Sequence, residues 1–307
     1  MSSENKISKI TIFLSQVFDS DIKVQAIKLL YGNVHQNLFI ECKSNNKLLK
    51  LVVRIMPDYK NSGFERQILP YNLEKEYHIL KDLEKVDFIT PKVFGIDRSG
   101  EIFGSPSFIM EFIEGRTVLE AIRNDPEGIL NNYVDTILLM NSISPFQLPS
   151  FNDKNNITGN KPVNLLGWLT EQSKTSEVPS FFQQGLEYLK DIPPNRPLPV
   201  FGNGDLNPQN FIHMNNGSIA VVDWEYAGFY DPLAELMLLH VYPEERPFLS
   251  EYPLDKIYCQ KAGFDVSMLK WYELYGALNA WIFAFKNNEK VKMDKYEKYA
   301  LNLTFSC

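Results

Sequence analysis

Asp205, Asn210 and Asp223, a sparse set of hard oxygen donors, fall within one stretch of this chain, Leu198 to Leu236. No cysteine lies near them, and the histidine between them, His213, sits in an apolar run. Hard oxygen donors without sulfur or imidazole suit magnesium or manganese rather than zinc. Magnesium takes one or two protein carboxylates and completes its shell with water and phosphate oxygens, so a short donor list is enough. A carboxylate left outside the metal shell can then act as a base toward a hydroxyl. Taken singly, Asp and Asn are ordinary turn residues. Gly-Asp-x-x-x-x-Asn, a 12-residue gap and an apolar strand ending in Asp-Trp-Glu together exceed ordinary loop composition.

A hairpin must position these groups. Phe211 to Met214 and Ile219 to Val222 are short apolar runs, separated by Asn215-Asn216-Gly217. Asn-Gly favours a two-residue primed turn, because both central residues need positive φ. With Asn216 and Gly217 in the turn, Asn215 faces Ser218 and Asn210 faces Asp223, their Cβ atoms roughly 4.5–5.5 Å apart. A three-residue turn would shift the register by one and break that pairing.

The first third of the chain reads as a short helix over Ile7 to Phe18 followed by strands Ile22 to Leu30, Asn37 to Lys43 and Lys47 to Met56, with Ser44-Asn45-Asn46 as a turn. Arg54 shares a strand face with Val52 and Met56. It is either a rim cation or the partner of a buried anion. Asn72 to Lys85 repeats Leu73, Tyr77, Leu80 and Leu83 at helical spacing. Glu76 lies beside that stripe. If it points at the sheet it needs a cation, and Arg54 is the best candidate. Glu74 is the competing carboxylate. Two further strands, Pro91 to Ile96 and Phe108 to Ile113, precede a break at Gly115. Beyond it the pattern is mostly helical: Val118 to Ile122, Leu130 to Ser142, Leu165 to Thr170, Phe181 to Asp191, Leu233 to Val241, Met268 to Lys286 and the tail from Asp294. The expectation is an α+β chain with one lobe over 1–114 and a larger, mainly helical lobe over 115–307.

Composition bounds the class. The chain has 307 residues, 44% hydrophobic and 22% charged, which suits a globular protein of two lobes. A formal net charge of −7 argues against nucleic acid as the main partner. Cys42, Cys259 and Cys307 match no zinc spacing and fit a reducing compartment. The start has no signal-peptide pattern, and no run of about 20 apolar residues exists, so a cytoplasmic protein without membrane spans is expected.

Asn203-Gly204-Asp205-Leu206-Asn207-Pro208-Gln209-Asn210 resembles the His-Gly-Asp-x-x-x-x-Asn loop of aminoglycoside phosphotransferases and their choline-kinase-like relatives. Val222-Asp223-Trp224-Glu225 resembles their Ile-Asp-Trp-Glu segment, and Tyr230-Asp231-Pro232 their Gly-Asp-Pro. Arg54, Glu76 and the run Met110 to Gly115 are similar to the family's strand cation, helix glutamate and hinge. The resemblance implies a protein-kinase-like two-lobed fold. It also implies a kinase that moves the γ-phosphoryl of ATP or GTP to a hydroxyl of an antibiotic, amino alcohol or sugar-like molecule.

The resemblance assigns roles as well. Asp205 is the base, Asn210 and Asp223 hold Mg2+, and Arg54, oriented by Glu76, contacts the phosphates. The backbone of Glu111 and Ile113 meets the nucleotide base, and Asp231 braces the catalytic loop. The residues Leu30 to Asn37 themselves read either as a loop over a ligand, with Gly32 allowing close backbone approach, or as an ordinary hairpin loop. Asn203 stands where the family has histidine, and Tyr230 where it has glycine, a change that would narrow the acceptor site. A catalytically weak or inactive nucleotide-binding module is therefore the alternative. Glu225, Glu235, Glu244 and Glu245 are candidates for an acidic acceptor pocket, and Trp281 for a contact to the acceptor.

Overall fold

The computed structural model describes residues 3–30, 36–57, 72–151, 162–175, 177–194, 198–237, 239 and 251–305. Gly32, Glu244, Glu245 and Cys307 lie outside the described residues. In chain order the elements are α1 (Ser3–Phe18), β1 (Ile22–Leu30), β2 (Gln36–Ser44), β3 (Lys47–Ile55), α2 (Leu73–Leu83), β4 (Val93–Asp97), β5 (Ser107–Glu111), β6 (Arg116–Thr117), α3 (Val118–Ala121), α4 (Pro126–Asn141), α5 (Pro162–Thr175), α6 (Ser180–Asp191), β7 (Val200–Gly202), β8 (Phe211–His213), β9 (Ile219–Val221), β10 (Gly228–Tyr230), α7 (Pro232–Met237), α8 (Leu254–Ala262), α9 (Leu269–Lys286) and α10 (Lys290–Phe305). The class is α+β. The chain divides into two compact units: Met1–Gly115 with Phe146–Ser150 and Met214–Glu225, and Arg116–Pro145 with Phe151–His213 and Tyr226–Cys307.

The first unit is built on a five-stranded sheet of order β1-β2-β3-β5-β4, antiparallel throughout. Asn45 and Asn46 connect β2 to β3 at φ of 47° and 66°, the left-handed pair that a two-residue hairpin needs. One face of the sheet carries Leu38, Ile40, Cys42, Leu51, Val53, Ile55 and Ile109, and α1 covers it with Ile10 and Leu14. Alternation then puts Val52 and Arg54 on the opposite face. There the Tyr77 ring of α2 meets Phe108 of β5 edge-on at 6.0 Å. Asn72 caps α2 by accepting the Lys75 N–H at 3.0 Å.

The hairpin turn differs from the two-residue expectation. Met214 N–H bonds the Ser218 carbonyl at 2.9 Å, and Gly217 N–H bonds the Met214 carbonyl at 3.0 Å. Asn215-Asn216-Gly217 is thus a three-residue loop, with Gly217 at φ 86°. Asn-Gly serves this geometry equally well, because only the last residue must be left-handed. Met214 now faces Ser218, one residue away from the pairing of Asn215 with Ser218 that a two-residue turn gives. A Cβ on Gly217 would meet nothing within 4 Å, so only the backbone resists substitution. Gly217→Ala is expected to destabilise the protein by about 1–2 kcal/mol. Urea unfolding checks it, and an unchanged midpoint would contradict the left-handed geometry.

The second unit is helical around α9. Trp271, Leu274, Tyr275, Leu278 and Ile282 recur along α9 at helical spacing and are all buried. Gly185 of α6 lets Leu278 and Leu274 approach closely, since an added Cβ would stand 3.1 Å from Leu278. Trp281 is also core. Its ring packs against Phe181, Phe182 and Phe285 at 5.2–5.7 Å, which removes it as an acceptor contact. No described helix is long and apolar enough to cross a membrane.

Candidate active site

Two clusters hold the residues singled out by the sequence, one in each unit. In the first, Arg54 is 5% exposed and Glu76 1%, so the rim alternative for Arg54 does not hold. Arg54 Nη1 donates to Glu76 Oε1 at 2.9 Å and to Asp223 Oδ1 at 2.8 Å. Glu76 Oε1 also accepts the Trp224 N–H at 3.3 Å. One glutamate oxygen therefore ties strand β3, helix α2 and the segment after β9 together. Glu74 instead faces outward and pairs with Arg98 at 2.5 Å.

The segment after β9 is fixed from several sides. Val221 N–H bonds the Ile89 carbonyl at 3.0 Å, Trp224 Nε1 donates to the Val221 carbonyl at 3.0 Å, and Phe88 meets the Trp224 ring edge-on. Asp223 sits between these anchors at φ 63°. A non-glycine residue in that region costs free energy and persists only where its surroundings impose it. The result is a carboxylate turned out of the strand, with its side chain 31% exposed and one oxygen on Arg54. The end of β5 continues the sheet: Glu111 N–H bonds the Lys92 carbonyl at 2.8 Å and Phe112 N–H that of Lys50 at 3.1 Å.

The second cluster is the loop that follows β7. Asn203 is fully buried. Its Nδ2 donates to the Asp205 carbonyl at 2.9 Å, and its Oδ1 accepts the Asp205 N–H at 3.3 Å. The residue thus clasps both sides of Asp205. The Asp205 carboxylate is oriented through each oxygen: Oδ1 accepts the Asn207 N–H at 3.3 Å, and Oδ2 accepts Asn210 Nδ2 at 2.9 Å. Asn210 Nδ2 also reaches the Asp205 carbonyl at 3.2 Å. With its nitrogen committed to Asp205, Asn210 keeps its carboxamide Oδ1 as an acceptor atom. Asn207 caps the turn Pro208–Asn210 by accepting the Gln209 N–H. Gly204, at φ 79°, cannot be replaced, because a Cβ would stand 2.5 Å from the Tyr226 carbonyl oxygen.

The loop is held from behind by three helices. Asn141 of α4 donates to the Phe201 carbonyl and accepts the Tyr258 hydroxyl of α8 at 2.6 Å. The Tyr133 hydroxyl of α4 donates to the Leu206 carbonyl. Glu235 of α7 accepts the Gly204 N–H at 2.9 Å. Glu235 is buried, so it cannot line an acidic acceptor pocket. Burial pushes its carboxyl up to about 8, with Asp205 adding to the rise and the Gly204 N–H opposing it. It is this glutamate, rather than Asp231, that bonds the loop directly. Asp231 caps α7 through Leu233 N–H and Ala234 N–H and accepts the Tyr272 hydroxyl at 2.6 Å. Burial raises its carboxyl to about 6 against those bonds. Tyr230 folds back, its hydroxyl donating to the Tyr226 carbonyl.

Among the described residues no group of three or more His, Cys, Asp or Glu is arranged to hold a metal ion. Asp223 in the first unit offers a carboxylate oxygen and Asn210 in the second a carboxamide oxygen, hard donors of the kind that magnesium takes beside phosphate.

Solved structures share this fold. A thermostable mutant of the aminoglycoside phosphotransferase APH(4)-Ia, in ternary complex with AMP-PNP and hygromycin B, is 15% identical, with a TM-score of 0.62 over 97% of this chain and 98% of that one. Choline kinase LicA from Streptococcus pneumoniae is 16% identical, with a TM-score of 0.59 over the whole of both chains (100% of each). In sequence, the chain is 22% identical over 227 residues to acyl-CoA dehydrogenase family member 11 of Rattus norvegicus. That match takes in 66% of this chain and 29% of the rat protein, so the chain spans less than a third of the length of that relative. Residues 42–273 match the model of the phosphotransferase enzyme family, and the chain belongs to that family.

Proposed function

We propose that this protein is a small-molecule kinase that transfers the γ-phosphoryl group of ATP or GTP to a hydroxyl of its acceptor. The observation that carries this reading is the Asp205 carboxylate, fixed through both oxygens by Asn207 N–H and Asn210 Nδ2. A carboxylate so oriented accepts a hydroxyl proton without first reorganising. Asn210 and Asp223 hold Mg2+, which when bound neutralises charge on the phosphate oxygens. Arg54, held by Glu76, contacts the same phosphates, and the backbone of Glu111 and Ile113 meets the base. Residues 1–114 form the nucleotide-binding lobe and 115–307 the catalytic and acceptor-binding lobe. Asn203 does the work of the family histidine, since it bonds both the N–H and the carbonyl of Asp205.

The nucleotide half of this reading has its own test. Mg-AMP-PNP is expected to raise the melting temperature of the wild type, and Asp223→Ala to abolish that rise. A shift that survives in Asp223→Ala, or in the wild type with excess chelator, would count against Asp223 as a ligand.

The acceptor classes are antibiotics, amino alcohols and sugar-like molecules. One observation adds another. The rat relative is named for the acyl-CoA dehydrogenase family, so acyl-CoA compounds that carry a hydroxyl join the acceptors to be screened.

A further inference from the structure

Glu235 lies behind the catalytic loop in a setting that ordinary bracing does not require. It is 1% exposed, and Oε2 has no hydrogen-bond partner among the described residues. A Cβ on Gly202 would stand 2.3 Å from that oxygen. The carboxyl is therefore wedged against the backbone at Gly202 while its other oxygen takes the Gly204 N–H. The titratable groups facing it are Asp205 on the loop, Tyr230 on β10 and Tyr258 on α8. Among the described residues no lysine, arginine or histidine pairs with it.

We propose that Glu235 is a positioning residue for Asp205, setting the Gly204 peptide through a hydrogen bond that tightens when the Glu235 carboxyl ionises. The inference rests on the reading of Asp205 as the base. A carboxylate accepts an N–H more strongly than a neutral carboxyl does. A negative charge behind the loop also raises the basicity of Asp205. With its carboxyl raised to about 8, Glu235 is largely neutral at neutral pH and ionises on the alkaline side. Both effects therefore increase turnover as pH rises through that value.

The direct test follows the Gly204 amide in protein labelled with ¹⁵N-glycine, titrated between about pH 6 and pH 10. The amide is expected to shift with a midpoint near 8 in the wild type and to stay flat in Glu235→Gln. MgATP hydrolysis, with water as acceptor, supplies the second readout. Glu235→Ala lowers kcat by about tenfold or more, with little change in the KM for MgATP. Glu235→Gln keeps the acceptor oxygen, matches the wild type near neutral pH and loses the alkaline rise. A flat Gly204 amide in the wild type, or an alkaline rise that persists in Glu235→Gln, overturns the proposal. A wild-type hydrolysis rate that Asp205→Asn leaves unchanged defeats the base reading itself. A flat amide beside an impaired Asp205→Asn defeats only the role of Glu235.

Discussion

Replacing Asp205 with asparagine is expected to lower phosphotransfer turnover by a factor of about 10² or more. The substitution is nearly isosteric, so the loop can keep its path. What changes is the proton chemistry: a carboxamide takes no proton from a hydroxyl. One hydrogen bond also suffers. The wild-type carboxylate accepts from both Asn207 N–H and Asn210 Nδ2. A carboxamide has one oxygen and can satisfy only one of them, and its amine then faces a second donor. The loss therefore combines a missing base with a loosened Asn210. Nucleotide affinity separates the two. Retained Mg-AMP-PNP binding with lost turnover assigns the effect to the base, whereas loss of both assigns it to the loop. The kcat of Asp205→Asn in an acceptor-dependent assay, set beside its melting shift, provides the measurement.

Glu76→Ala is expected to cost about 3–5 kcal/mol of stability, the range for breaking a buried ion pair by removing one partner. Glu76 Oε1 is shared by Arg54 Nη1 and Trp224 N–H, and both donors are buried. Alanine takes one carboxylate partner from the Arg54 cation and an acceptor from the Trp224 N–H. The guanidinium is then free to follow Asp223, so nucleotide affinity falls with stability. Glu76→Gln keeps an oxygen in place and should recover much of the stability while leaving Arg54 less well neutralised. Urea unfolding of the two variants gives the comparison. Equal and small losses in both would mean that the pair contributes little.

Much of this was legible in the sequence, for reasons that can be named. Alternation in β1 to β3 and the Leu73–Tyr77–Leu80–Leu83 stripe are strong periodic signals. They placed Arg54 on one sheet face and Glu76 at the edge of a helix face, which is enough to suggest their contact at 2.9 Å. The turn at Asn215-Asn216-Gly217 was misread because one dipeptide fits two loops of different length, and a one-residue slip changes every facing pair. Glu235 was misread because an acid on a short helix looks like surface. Its partner is a backbone amide 31 residues away, and backbone donors leave no mark in a sequence. The available signal was Gly202 and Gly204 on either side of Asn203, two positions without side chains that leave room for something behind the loop. Helix α8 carries only a weak periodic signal. Its buried Leu254, Tyr258 and Cys259 make too narrow a stripe to stand out.

The central claim is that a fixed Asp205 activates an acceptor hydroxyl toward a magnesium nucleotide. A coupled nucleotide-turnover screen tests it most directly. The wild type and Asp205→Asn are run side by side with ATP and GTP across aminoglycosides, amino alcohols, sugars and hydroxyacyl compounds. The account predicts diphosphate release that depends on one acceptor class, a phosphorylated product of matching mass, and loss of both in Asp205→Asn while Mg-AMP-PNP still binds. Nucleotide binding without acceptor-dependent turnover across the whole panel, or turnover that Asp205→Asn sustains, would contradict it.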